Sequence, residues 1–391
     1  MQRKYKTKVA CHWDIDKKMK VWTDIELNNL RCWDPVRYEE AVKLFPPTYP
    51  WENMATQVEI GEKGNGHEVE AYVDYLNVNY QTGLWHKGLA SSDLVECWLA
   101  WAIVNSTKDI KEAAKEVTGR LITLAEYHMD YLTAGYTHGQ QAEPITWGLR
   151  LSMWASQLAF AEHMLVPMPG KVSGAVGTNV VTHPDLSALI EKCLGIHMTT
   201  LSTQIVPRSQ LCMVLHELDN LVFVVSKIAN DLRMLFTLDA ISLGNPDVGS
   251  SSMSHKQNPA SLEQVVGLCK LITDMIHSVN TTNMVGWLER DLVHSSLERE
   301  ALPIIYNHTF YCIRRLYTIL GKVYVNSSLI ENKTLSSIAL ADALTHESGR
   351  SVIRKNAIGS IPVDWEERVR THCRTKANIA LNMASAYKEM P

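Results

Sequence analysis

Four stretches, far apart in a chain of 391 residues, carry side chains whose types and spacing could do chemistry. The first runs from Gly249 through Ser250, Ser251, Ser252, Met253, Ser254, His255, Lys256, Gln257 and Asn258 to Pro259. Glycine and successive serines supply backbone freedom and hydroxyl donors, Lys256 adds a cation, and Asn258 and Pro259 stop the loop before a helical pattern opens at Ala260. Such a loop suits an anion, although a glycine–serine run taken by itself also describes a flexible linker. The second stretch, Tyr136 to Pro144, places Thr137 and His138 in a polar loop. Histidine titrates near neutrality and can pass a proton, while a single loop histidine is more often structural or solvated.

The third stretch, Trp85 to Asp93, contains His86, Ser91 and Ser92 at the entry to a helix, where free N–H groups favour a carboxylate. A well-made helix cap is the competing account. The fourth, Glu289 to Arg299, has Ser295 and Glu298 at capping-box spacing, with Ser296 and Arg299 three apart on one helical face. A hydroxyl, a guanidinium and a helix N-terminus suit a phosphate. The alternative is a capped, salt-bridged surface helix.

The elements that must position these residues are helical. Residues 1–92 form a smaller, mixed domain, broken by the prolines of Phe45 to Pro50. From Leu94 onward apolar residues recur at three- and four-residue steps, with Asp93 expected to cap a first helix and Gly135 to close a second. Further helices are expected over Thr146 to Leu165, Gln210 to Leu243, Ala260 to about Ser278 and Leu297 to about Val325. A helix of about thirty residues within Gln210 to Leu243 would span about 45 Å. Long helices that are apolar on more than one face need neighbours on several sides, so 93–326 reads as a bundle that buries more surface by oligomerising. Residues 327–391 read as a small C-terminal helical domain.

Composition excludes several classes. An apolar content of 46% with 20% charged residues is ordinary for a folded soluble chain, and a net charge of −4 asks for neither nucleic acid nor an anionic membrane. The cysteines at 11, 32, 97, 193, 212, 269, 312 and 373 include no Cys-x-x-Cys pair, which fits reduced thiols in a cytoplasmic protein. The longest apolar run, Leu94 to Val104, is too short for a membrane span and is interrupted by Glu96, and no signal peptide is read.

Together the four stretches resemble adenylosuccinate lyases of the fumarase/aspartase superfamily. The loop matches Gly-Ser-Ser-x-Met-Pro-x-Lys-x-Asn-Pro except that Ser254 replaces proline. Lys4-Tyr5 falls on the family's Arg-Tyr, His67 on its Arg-His-Asp, His86 to Asp93 on His-Tyr-Gly-x-Thr-Ser-x-Asp, and Thr137-His138-Gly139 on Thr-His-Gly. Lys171 to Thr178, Gln204 with Arg208, and the Glu289 to Arg299 segment also match; the last separates these lyases from fumarase, aspartase and argininosuccinate lyase. Departures are Gly66 and Glu68 beside His67, Ala90 for threonine, Gln141 where some members have a histidine, no acidic run over Leu238 to Val248, and a short C-terminal end.

The resemblance implies an all-α, three-domain fold whose central long-helix bundle assembles into a homotetramer with active sites shared between chains. It implies β-elimination of fumarate from adenylosuccinate to give AMP, and from SAICAR to give AICAR, with no metal or organic cofactor. Ser250, or its neighbour Ser251, falls on the base and His138 on the general acid. A serine needs Lys256 and loop N–H groups to stabilise its alkoxide. His67 matches a phosphate-binding or supporting histidine. Lys4, Tyr5, Arg290, Ser296 and Arg299 match phosphate contacts, and His86, Ser91, Ser92, Lys256 and Asn258 surround the succinyl carboxylates; Thr137, Gln204, Ser251 and Ser295 complete the substrate-binding set. The departures leave two alternatives: a lyase for a modified or deoxy succinyl-purine nucleotide, and a helical scaffold without activity.

Overall fold

A computed structural model of the chain describes residues 3–244, 258–326 and 364–389. Their described parts form two compact units: Met1–Ile110 with Leu165–Glu217 and Ile272–Phe310, and Lys111–Met164 with Leu218–Leu271 and Tyr311–Pro391. Helices dominate both. In order they are α1 (Ile15–Trp33), α2 (Pro35–Ala41), α3 (Trp51–Asn65), α4 (Glu68–Asn79), α5 (Ser91–Tyr127), α6 (Trp147–His163), α7 (Leu186–Leu194), α8 (Arg208–Thr237), α9 (Ala260–Asn283), α10 (Val293–Leu320) and α11 (Trp365–Glu389). Among the described residues four short strands make two antiparallel ribbons: β1 (Leu132–Thr137) with β2 (Gln140–Thr146), and β3 (Ile241–Leu243) with β4 (Val323–Val325).

The sequence separates two helices between Asp93 and Gly135, but α5 is one helix of 37 residues. Its interior glycine, Gly119, would meet only the end of the flexible Lys388 side chain if it carried a Cβ, so nothing forces a break there. Gly135 instead lies in β1, where a Cβ would sit 2.7 Å from the Glu143 carbonyl oxygen. The helix expected to reach Leu243 ends at Thr237, and the one expected to begin at Leu297 begins at Val293 and ends at Leu320; in both cases β3 and β4 take the last apolar residues. Pro303 lies inside α10 and removes an N–H from its ladder.

In the first unit Trp22 of α1 is fully buried and meets Tyr72 of α4 edge-on at 5.3 Å. Truncating so large a core side chain costs about 3–5 kcal/mol. This core fixes α1, α3 and α4 beneath the loops that carry His67 and His86. In the second unit α11 packs on α6 and β2, bringing Ala377, Ala380 and Ala384 inward at helical spacing. Arg374 adds a forked contact to Asp130, at 3.0 and 2.7 Å.

Candidate active site

The N-terminus of α5 is held by buried electrostatics. Ala90, just before the helix, has no side-chain oxygen to cap it, but Asp93 reaches back and accepts the Ala90 N–H at 2.8 Å. The same carboxylate accepts the N–H groups of Ser173 (3.0 Å) and Gly174 (3.2 Å) and pairs with Lys171 Nζ at 2.6 Å, with both charged side chains fully buried. Lys171 also donates to the Gly174 carbonyl at 3.2 Å. The loop is pressed tightly against its neighbours: a Cβ on Gly88 would lie 2.2 Å from the Val181 oxygen, and one on Gly177 2.1 Å from that of Ser202. Ser92 emerges from this frame 2% exposed, its hydroxyl without a partner among the described residues. A sealed, unsatisfied hydroxyl at a helix N-terminus is disposed to meet an anion.

The start of α10 lies in the same unit. Asp291 organises it by accepting the N–H groups of Val293 (3.0 Å) and Trp287 (2.9 Å). The capping box expected from Ser295 and Glu298 does not form, because the Glu298 carboxylate turns inward to Arg208. Arg208 holds Glu96 in a fork at 2.7 Å on both oxygens, and Glu298 Oε2 accepts a further bond at 3.1 Å. Its Nε is 3.0 Å from Glu298 Oε1 but too bent for a hydrogen bond. Burial pushes Glu96 up, yet Arg208, the Val206 N–H and His294 together outweigh it and leave the acid below its ordinary range. Glu298, with less compensation, is pushed by burial up to about 7. Burial and then Arg208 push His294 down to about 4.

These two shifts oppose each other in pH. A raised Glu298 contributes stability below 4.5 that is lost as pH rises to about 7; a depressed His294 contributes stability above 6.5 that is lost as pH falls to about 4. Relative to the parent protein, Glu298→Gln should therefore lose stability towards acid across this window, and His294→Asn should gain it. Melting temperatures over the pH series, at fixed protein concentration, check the two opposite slopes.

One cleft in the first unit gathers Ser92, His294, Ser295 and Arg299 with Lys18, Glu68, Arg208, Arg290 and the rings of Trp13, Trp22 and Trp98. Its space is about 610 Å³ counting the open mouth. Lys18 lies 5.3 Å from the ring centres of both Trp22 and Trp98, pairs with Glu68, and is depressed by burial despite that partner. Arg299, half exposed, is 3.7 Å from Glu68 and 3.9 Å from Glu62. Arg290 donates to Gln204 Oε1 at 2.9 Å, and burial lowers its guanidinium.

The other expected site residues are placed as follows. Lys4 and Tyr5 form a short 3-10 turn tied to α10, where Asn307 donates to the Tyr5 carbonyl at 2.8 Å. His67 is exposed and caps α4 by accepting the Glu70 N–H at 3.1 Å. His86 has a left-handed φ of 59° and is gripped by buried Glu26, which accepts its N–H and bonds Nδ1, both at 2.8 Å. An ionised carboxylate only accepts, so Nδ1 carries the proton and Nε2 is the acceptor in the neutral ring. Ser91 opens α5, and Ser296 is exposed on α10. Thr137, His138 and Asn258 belong to the second unit. There His138 and Gly139, with φ of 54° and 73°, form the two-residue turn between β1 and β2, and Asn258 precedes α9. Ser250, Ser251 and Lys256 lie outside the described residues.

Sequence reasoning passed over Lys18, Glu26, Glu96, His294 and Glu298 as site-forming groups. Glu96 carried a readable signal: it is the charge that interrupts the apolar Leu94 to Val104 run, and an acid on a buried helix face needs a partner. Nothing local identified Arg208 as that partner, 112 residues away.

A protein-family profile described as Lyase matches residues 48–273. Adenylosuccinate lyase of Aquifex aeolicus is 31% identical over 329 residues, covering 80% of this chain and 75% of the relative. The enzyme of the same name from Thermotoga maritima is 26% identical over 375 residues, covering 88% and 85%. Among solved structures, a fumarate lyase from a Mesorhizobium species superposes with a TM-score of 0.76 at 17% identity, over 100% of this chain and 95% of that one. The 3-carboxy-cis,cis-muconate lactonizing enzyme of Pseudomonas putida gives 0.78 at 16%, over 98% of each. The fold is thus the all-α fumarase/aspartase type, and the chain belongs to the adenylosuccinate lyase family of carbon–nitrogen lyases.

Proposed function

We propose that this lyase eliminates fumarate from adenylosuccinate to leave AMP, and from SAICAR to leave AICAR, in purine synthesis. The observation that supports this most is the cleft between two helix starts. Ser92, whose hydroxyl has no partner among the described residues, stands at one start, and Ser295 with Arg299 stands at the other, with Arg208 and Arg290 also in the lining. Two anion-seeking ends in one cleft suit a substrate with carboxylates at one end and a phosphate at the other.

The chemistry divides between two groups. Ser250, with Ser251 as the alternative, takes the proton beside the succinyl carboxylate, and Lys256 with loop N–H groups stabilises the alkoxide and the developing aci-carboxylate. His138 protonates the departing purine nitrogen as the C–N bond breaks. His86, Ser91, Ser92, Thr137, Gln204 and Asn258 hold the succinyl end. Lys4, Tyr5, Arg290, Ser295, Ser296 and Arg299 hold the nucleotide phosphate, with His67 in support. A homotetramer in the cytoplasm, with each site shared between chains, completes the reading.

Fumarate release followed by absorbance tests it, using adenylosuccinate, its deoxy counterpart and SAICAR. The expected result is fastest turnover of adenylosuccinate, with SAICAR also consumed. Preference for the deoxy compound would change the assigned substrate. Zero turnover of all three by a normally assembled tetramer would leave a helical scaffold as the better account.

A further inference from the structure

The hairpin that carries His138 has a weak point, and one buried cation sits on it. β1 and β2 pair regularly at Leu132–Thr146, Thr133–Ile145 and Ala134–Pro144, then shift register before resuming at Tyr136–Gln141 and Thr137–Gln140. The Trp147 N–H to Tyr131 O bond sets the alternation of the ladder, so Thr133–Ile145 is a bonded pair and Ala134–Pro144 is not; Pro144 leaves no ladder bond unmade, and the Ala134 carbonyl faces out of the ribbon. Arg150, one turn into α6, donates from its Nη2 to the Ala134 carbonyl at 2.8 Å. Its guanidinium carbon lies 4.9 Å from the ring centre of Trp147, and its Nη1 is sealed from solvent with no hydrogen-bond partner among the described residues. Below the bulge the ribbon is anchored by the Trp147 N–H to Tyr131 O (2.8 Å) and the Gly148 N–H to His128 O (2.9 Å). Above it only two residue pairs lead to the His138 turn.

A desolvated guanidinium is a costly way to fill space, since an apolar side chain would pack there without the desolvation penalty. A bulge sets the local twist and so aims whatever lies beyond it. We propose that Arg150 is a positioning residue: by holding the outward-facing Ala134 carbonyl beside the shift in register, it locks the bulge and fixes the direction in which the hairpin presents His138. The inference rests on the reading of His138 as the general acid.

The test compares Arg150→Met, Arg150→Lys and His138→Asn, alone and combined, in the full-length protein with adenylosuccinate. Misplacing a catalytic group by about 1 Å costs about 100-fold, so Arg150→Met should lower kcat by about that factor with KM nearly unchanged. Arg150→Lys, which keeps a cationic donor, should recover most of the loss. In the His138→Asn background Arg150→Met should have no further effect, because the group it aims is gone. Wild-type kcat in Arg150→Met, alongside an inactive His138→Asn, would overturn the proposal and leave the role of His138 standing. If His138→Asn itself is fully active, the role of His138 fails instead. The clamp is then judged by amide hydrogen exchange over 135–140: faster exchange in Arg150→Met upholds it, and unchanged exchange overturns it.

Discussion

Exchanging His138 for asparagine is expected to lower kcat for fumarate release by roughly 10²–10⁴-fold, the contribution of a positioned general acid. Asparagine suits the test because it tolerates the left-handed backbone that His138 adopts at φ 54°, so the hairpin keeps its turn while losing the titrating group. Ser250→Ala should produce a loss of the same order by removing the base. The proposed sharing of sites between chains has a sharper test. Where His138 and Ser250 of one site come from different chains, tetramers reassembled from equal amounts of the two inactive variants should regain activity. Random mixing makes about one site in four whole. No recovery after confirmed subunit exchange would mean that one chain supplies both residues, and full activity in either single variant would remove its assigned role.

The same two variants show what was legible in the sequence. His138 is singled out by its match to the family's Thr-His-Gly run, since a lone loop histidine is more often structural, whereas the long helices could be read because a 3.6-residue apolar period needs no knowledge of partners. The β1–β2 hairpin was not legible. Its turn residues are His138 and Gly139 rather than Asn-Gly, and Pro144 inside β2 argues against a paired strand. Pro144 is tolerated because its pair with Ala134 is a non-bonded one, a register that no local pattern encodes. Glu298 misleads in the opposite direction. Its spacing from Ser295 spells a capping box, but the pull of a buried guanidinium at Arg208 wins over a surface cap. There an ion pair joining distant segments overrode the local signal.

Replacing Lys171 by methionine should destabilise the protein by about 3–5 kcal/mol, because breaking a buried pair leaves an uncompensated charge rather than merely losing an attraction. Asp93→Ala should cost at least as much. Lys171→Met leaves Asp93 with the N–H groups of Ala90, Ser173 and Gly174, whereas Asp93→Ala leaves a sealed ammonium with the Gly174 carbonyl and strands three amides. Replacing both partners by apolar groups removes the ammonium and the carboxylate together, so the double variant should be less destabilised than the sum of the singles. It should still not reach the parent, since the three amides stay unpaired. Denaturant midpoints at one fixed protein concentration measure the order, as assembly would otherwise shift them. Strict additivity would mean that the pair does not act as a unit. A second consequence separates the pair's local task from general stability. Asp93 joins the 171–174 loop to the turn that opens α5, so in the folded Asp93→Ala protein the Ser91 and Ser92 hydroxyls lose their fixed frame. KM for adenylosuccinate should then rise more than kcat falls, because those hydroxyls are read as holding the substrate's carboxylates rather than moving its proton.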